Sequence, residues 1–328
     1  MQSPKVLYII VPCYCEEEVL PITSEKLRDK LHQLISQQLI SPESRIVFVN
    51  DGSSDHTWEI ISSLHKEEPE VFSGISLSRN FGHQNAVLAG LMTVREHCDM
   101  AVTMDADLQD DVNAVDEMVK KFYEGNQVVY GVRSARKTDS FFKRVTAEGF
   151  YKFMKAMGTD VVYNHADFRL MSAQVINELA QYQEVNLFLR GLVPLIGFKS
   201  CNVYYERKSR AAGKSKYPLG KMLSFAVNGI TSFSTKPLKL ITGIGFFMFV
   251  MSLAAFIWAF VVKIIGHSEL GWSSTMCSIW LIGGLQLLCL GIIGEYVGKI
   301  YSEVKHRPRF TVAEFLHNNH QGSHKDDI

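Results

Sequence analysis

Over roughly the first 218 residues, short apolar runs alternate with amphipathic stretches. Val6 to Val11 reads as a buried strand. Glu17 to Gln38 reads as a helix with Leu20, Leu27, Leu31, Leu34 and Ile35 inward. Ile46 to Val49 is a second strand, and Asp55 caps a predicted helix running to about His65. Ile75 to Leu77 is strand-like and Gln84 to His97 helix-like. Met100 to Met104 is a strand, Val112 to Tyr123 a helix with Val112, Val115, Val119 and Phe122 on one face, and Gln127 to Val132 a further strand. This order predicts an α/β fold, a mostly parallel sheet with helices on both faces.

Beyond Tyr217 and Pro218 the pattern changes. Tyr217 to Ser234 carries Leu219, Met222, Leu223, Phe225, Val227, Ile230 and Phe233, and reads either as an amphipathic interfacial helix or as a core helix of the preceding domain. From Leu240 to Val262 there are 23 residues without a charge, and from Leu270 to Gly294 there are 25. At about 1.5 Å per helical residue, each stretch is long enough for a hydrocarbon core of roughly 30 Å. A two-helix transmembrane hairpin is therefore predicted. The expected organisation is a domain over 1–218, an interfacial helix over 219–236, the hairpin over 237–302 and a tail over 303–328. Basic residues gather on both flanks, among them Arg207, Lys236 and Lys239 before the first stretch and Lys299, Lys305, Arg307 and Arg309 after the second. The positive-inside rule then puts the domain and both termini in the cytoplasm, with a two-span anchor in the inner or plasma membrane. Lys5 to Pro12 is too short for a secretory signal, and six scattered Cys fit a reducing compartment. The polar tail beyond Phe310 is expected either to fray or to extend to a neighbour.

Composition adds little until it is divided in this way. The chain has 34 basic and 34 acidic residues among 328 and is 47% hydrophobic. Neutrality argues against nucleic acid as a partner, and the apolar content argues against disorder. A mean hydropathy of +0.03 is an average over a charged domain and two uncharged stretches.

In an open α/β sheet, ligands sit at the carboxyl ends of strands. The residues there are Pro12 to Glu16, Asn50 to Ser53, Ser78 to His83, Asp105 to Gln109 and Gly131 to Arg133. No G-x-G-x-x-G follows the first strand, no G-x-S-x-G is present, and Gly213-Lys214-Ser215 lacks the earlier glycine of a phosphate-binding loop. Cys13 and Cys15 have no second pair at zinc spacing. The remaining candidate is Asp105-Ala106-Asp107 at a strand end. One of its carboxylates suits a ribose hydroxyl and the other a hard divalent cation on a diphosphate; a solvated turn is the plainer alternative. Asp51 is either a turn residue or an acceptor for a nucleobase imide. His83 either caps the following helix or meets ligand.

The segments VPCYCEE, NDGSSDHTWE, SRNFGHQNAVLAGL, DADLQ, GVRSAR, DFRLM and RAAGKSKY, in this order and followed by the uncharged pair, resemble the polyprenyl-phosphate glycosyltransferases. These are family 2 inverting enzymes of the GT-A fold. The likeness covers roughly residues 5 to 310. It implies that Pro12, Tyr14, Glu16 and Asp51 contact base and ribose, and that Asp105 holds the nucleotide. It implies that Asp107 and Gln109 hold Mg2+ or Mn2+. Arg133 and Arg144 would face the acceptor phosphate, and Arg210 and Lys216 would clamp the diphosphate. The loop carrying those last two reads alternatively as a juxtamembrane basic patch. Two departures stand out: the family usually has Asn where this chain has Cys15, and Gly where it has Ala166.

The resemblance implies transfer of a sugar, glucose favoured, from a UDP-linked donor to undecaprenyl or another polyprenyl phosphate. It also implies a β-linked product and a homo-oligomer such as a tetramer. A GDP-mannose-dependent mannose synthase and a non-catalytic membrane scaffold are the alternatives. A phosphate monoester loses its second proton near pH 6, so the acceptor is already an anionic nucleophile at neutrality. Positioning and charge neutralisation would then be the main work.

Overall fold

The computed structural model describes residues 3–133, 165–185, 188–206, 236–265 and 271–318. Two compact units emerge, one of residues 1–147, 161–216 and 308–328, the other of 148–160 and 217–307.

The first unit is an eight-stranded sheet. Its strands are β1 (Leu7–Cys13), β2 (Arg45–Asn50), β3 (Phe72–Leu77), β4 (Met100–Thr103), β5 (Val128–Arg133), β6 (His165–Ser172), β7 (Ser200–Tyr205) and β8 (Val312–Leu316). They lie in the order β7-β5-β6-β4-β1-β2-β3-β8. β1 runs parallel to β2 and β4, β2 to β3, and β5 to β7, whereas β6 is antiparallel to β4 and β5, and β8 to β3. Six strands therefore present their carboxyl ends along one edge, and β6 begins there.

The helices of this unit are α1 (Leu20–Ser36), α2 (Thr57–Glu67), α3 (His83–Val94), α4 (Ala114–Tyr123), α5 (Ala173–Ala180) and α6 (Leu189–Leu195). β1 is apolar on both faces because both are covered. Leu7, Ile9, Val11 and Cys13 join a core with Leu20, Leu27, Leu31 and Leu34 of α1 and Val115, Met118 and Val119 of α4. Ile10 points the other way, toward α3. A Cβ on Gly90 of α3 would come within 2.4 Å of Ile10 Cγ2, so glycine there lets the helix lie close on the sheet. The predicted sheet with helices on both faces is thus observed.

Two features depart from the sequence reading. β6 interrupts the parallel pattern; its buried Asp167 and Arg169 hide it from a search for apolar runs. The tail does not fray over 312–316 but closes the edge of β3 as β8. Ser73 Oγ and His317 Nδ1 lie 3.1 Å apart, and Arg45 Nη2 donates to the Asn318 carbonyl at 3.1 Å.

The second unit contains α7 (Lys236–Ile265) and α8 (Trp272–Val304). Among the described residues, no helix is long and apolar enough to cross a membrane. Both helices include positions whose side chains lie outside the described residues, such as 252, 253, 255 and 256 in α7 and 272–274 and 280 in α8. The interfacial segment expected over 219–236 lies outside the described residues apart from Lys236.

Candidate active site

The strand-end edge is built differently on its two sides. On the β1–β3 side, side chains fasten backbone. Asp51 is buried, and its Oδ1 and Oδ2 accept the amides of Phe81 at 2.7 Å and Gly82 at 3.0 Å. This fastens the loop leading into α3. Burial raises the Asp51 carboxyl above its usual range, against the opposing pull of those two amides. Gly52 sits at φ +63°, and a Cβ there would lie 2.4 Å from the Arg79 carbonyl carbon, so the turn after β2 requires glycine. Asn50 Oδ1 accepts from the Ser53 amide at 3.0 Å, and Ser53 Oγ accepts from the Cys15 amide at 3.0 Å. Cys15 has φ +53°, a left-handed conformation that Asn tolerates well, which gives the family's usual Asn a backbone reason.

Pro12 lies buried in β1. Ile10 and Pro12 turn the same backbone edge toward β4, because alternate residues of a strand do. The Ile10 carbonyl accepts from Met104, but Pro12 has no amide hydrogen with which to continue the ladder. The β1–β4 register ends at Ile10 and Thr103, and the Asp105–Gln109 turn follows directly. Thr23 Oγ1 holds this turn from α1 by donating to the Ala106 carbonyl at 2.7 Å. Within it, the Gln109 amide donates to Asp107 Oδ1 at 3.1 Å, and Leu108 adopts φ +54° while buried. Tyr14 is exposed just past β1, and the Glu16 amide donates to Thr57 Oγ1 at 3.0 Å.

On the β4–β7 side, charges fasten charges. His83, at the start of α3, sets Nε2 3.5 Å from Asp105 Oδ1 and 3.6 Å from Asp167 Oδ2. Asp167 is also paired with Arg169 at 2.8 Å and with Arg190 Nη2 at 3.0 Å. Burial alone would raise the Asp167 carboxyl, but Arg190, His83 and Arg169 together hold it well below the usual range. Burial disfavours the charged His83 imidazole, yet Asp167 and Asp105 outweigh it and raise its pKa. Burial, then the nearby negative charges of Asp110, Asp167 and Asp107, push Asp105 up to about 6 against the pull of His83. Arg133, ending β5, donates from Nη2 to Asp110 Oδ1 at 3.0 Å.

The structure therefore brings Pro12, Tyr14, Glu16, Asp51, Asp105, Asp107, Gln109 and Arg133 to this edge. Arg144, Arg210 and Lys216 lie outside the described residues. Sequence reasoning missed Asp110, Asp167, Arg169, Arg190 and Tyr205 as parts of the edge. Asp167 and Arg169 stand in the quoted segment DFRLM, where buried charges within an apolar run were the available signal.

A profile described as Glycosyl transferase family 2 matches residues 8–180, and one described as GtrB C-terminal hairpin matches residues 236–300. The protein is 52% identical to an uncharacterized glycosyltransferase, YkoT, of Bacillus subtilis over 97% of this chain and 94% of that one. It is 37% identical to a prophage-derived bactoprenol glucosyl transferase of Shigella flexneri over 96% of this chain and 98% of that one. It is 38% identical to a prophage bactoprenol glucosyl transferase homolog of Escherichia coli, covering 93% and 97%. The chain belongs to glycosyl transferase family 2 and carries the hairpin of the GtrB type. It is a glycosyltransferase.

Proposed function

We propose that this enzyme transfers a sugar, with glucose favoured, from a UDP-linked donor to a polyprenyl phosphate such as undecaprenyl phosphate, with inversion at the anomeric carbon. The observation that carries this reading is the charge arrangement at the β4 end. Asp105 and Asp107 stand where the β1–β4 ladder parts, and a guanidinium, Arg133, stands at the end of β5. Two relatives sharing most of the chain's length are named bactoprenol glucosyl transferases or homologs, which favours the lipid acceptor and glucose.

A divalent cation fits the chemistry of the donor set. Asp107 and Gln109 offer oxygen ligands, as Mg2+ or Mn2+ prefers, and Asp105 is crowded by negative charge that a cation would relieve. Among the described residues no three His, Cys, Asp or Glu form a metal cluster. Ions of this kind commonly complete their shell with substrate phosphates and water. When bound, the ion supplies charge to the departing diphosphate. Asp105 orients the nucleotide, with Pro12, Tyr14, Glu16 and Asp51 shaping the base and ribose end. Arg133 and Arg144 hold the acceptor phosphate, where Arg provides a two-pronged grip. Arg210 and Lys216 close on the diphosphate. The lipid phosphate is itself the nucleophile, so no side chain needs to generate one.

The uncharged sequence stretches 240–262 and 270–294, several of whose side chains lie outside the described residues, would cross the membrane, with both flanks cytoplasmic. A polyprenyl phosphate would then present its headgroup on the side of the membrane that carries both flanks. The test is a screen of UDP-glucose, UDP-N-acetylhexosamines and GDP-mannose against undecaprenyl phosphate, with mass spectrometry of the lipid product. A hexosyl lipid from UDP-glucose is expected. Product from GDP-mannose alone would replace the donor, and no lipid product from any of them would refute the reading.

A further inference from the structure

Arg133 and Tyr205 are the last residues of β5 and β7 and stand opposite one another in parallel register, so their side chains rise together from the strand-end edge. Asp110 reaches both from the turn beyond β4. Its Oδ1 accepts from Arg133 Nη2 at 3.0 Å and Nε at 3.3 Å and from the Tyr205 hydroxyl, and Arg133 Nε also lies 3.3 Å from that hydroxyl. Three donors converge on one carboxylate oxygen. The other, Asp110 Oδ2, is buried with no hydrogen-bond partner among the described residues. A buried carboxylate oxygen without a donor is unusual in a native fold and calls for an explanation.

Burial separates the holders from the held. Asp110 is 1% and Tyr205 5% exposed, whereas the Arg133 side chain is 22% exposed. Burial alone would lower the Arg133 pKa, but Asp110 and Tyr205 outweigh it and raise it, so the group is a permanent cation. A long side chain that must meet a phosphate in one orientation loses rotamer freedom on binding unless the fold has already restricted it. Holding its Nε and Nη2 edge against a buried carboxylate does that in advance.

We propose that Asp110 and Tyr205 are positioning residues that orient Arg133 for the phosphate of the acceptor lipid. The inference rests on the acceptor role of Arg133 proposed above. Tyr205 gives the cleaner variant, because its ring packs edge-on against Phe168 at 5.3 Å between centroids and Phe would keep that contact. Asp110→Asn would strip the half-buried Arg133 of its counter-charge and risks the fold itself.

The experiment measures KM for undecaprenyl phosphate and for UDP-glucose, with Mn2+, on the full chain in detergent. Four forms are compared: wild type, Arg133→Ala, Tyr205→Phe and the double variant. Tyr205→Phe is expected to raise the lipid KM about tenfold, the scale of one hydrogen bond to a charged group, and to leave the UDP-glucose KM unchanged. The double variant is expected to be no worse than Arg133→Ala, because the hydroxyl acts only through the guanidinium. If Arg133→Ala raises the lipid KM and Tyr205→Phe does not, or if the two effects multiply, the positioning role is overturned and the acceptor role of Arg133 stands. If Arg133→Ala leaves the lipid KM unchanged, both fall.

Discussion

The two sides of the strand-end edge use their polar side chains in different ways. Beyond β1, β2 and β3, Asp51, Asn50, Ser53 and Thr57 bind backbone amides and fix the path of loops. Beyond β4, β5 and β7 and at the start of β6, Asp110 and Asp167 bind guanidinium groups and fix charges. A nucleoside needs a shaped wall, which loop geometry provides. A diphosphate and a phosphate monoester need charges at set places, which buried ion pairs provide. The contrast implies that the first side fails through strain and the second through loss of a counter-charge.

The largest effect is expected on the charged side. Asp167→Asn leaves the fully buried Arg169 and its neighbour Arg190 without their carboxylate. The cost should be about 3–5 kcal/mol, read as a lower urea midpoint for the full chain in detergent. A midpoint within error of wild type would show that the pair network contributes nothing to the fold. On the loop side, Gly52→Ala adds a Cβ against the Arg79–Asn80 backbone at a positive φ. It should cost about 2–3 kcal/mol in the same measurement, less than Asp167→Asn. If the order of the two is reversed, the contrast between strain and charge is wrong.

The β8 edge belongs to neither side and responds to pH. Burial, then the positive charges of Arg45, His97 and His65, hold His317 at about 4, below the 6.5 of a free imidazole, with Glu70 opposing. Tyr8, Phe315 and His97 also pack on its ring. Above pH 6.5, docked and undocked tails both keep the ring neutral. As pH falls from 6.5 toward 4, the undocked tail takes up a proton that the docked one refuses, so docking weakens. Amide hydrogen exchange over 312–317, corrected for its intrinsic pH dependence, should lose protection between pH 7 and 5; constant protection would contradict this. The smallest effect is at Cys15. Cys15→Asn should gain about 0.5 kcal/mol, a part of the roughly 1 kcal/mol that most side chains lose in the left-handed region. A loss of stability would mean that the thiol, 3.8 Å from Ser54 Oγ, matters more than the backbone.

Strands β1 to β5 were legible because each is an apolar run flanked by turn residues. The candidate site on them could be located because ligands gather at the carboxyl ends of such strands. Asp105, Asp107 and Asp51 could be chosen by that rule. β6 was not legible, since Asp167 and Arg169 break its apolar run and their burial depends on their pairing with each other rather than on local sequence. β7 begins on polar residues and is exposed at alternate positions, and β8 is a five-residue run, Val312–Leu316, within a polar tail, paired to the edge of β3. The partners of Arg133 were hidden for the same reason. Asp110 and Tyr205 lie 95 residues apart and meet only across the finished sheet.

Sugar transfer to a lipid phosphate is proposed to depend on the carboxylates at the end of β4. Its most direct test compares wild type with Asp107→Ala, using radiolabelled UDP-glucose, undecaprenyl phosphate and Mn2+, and counts label entering the organic phase. Transfer by the wild type is expected, with a fall of about a hundredfold or more in the variant. Transfer by Asp107→Ala at the wild-type rate would contradict it.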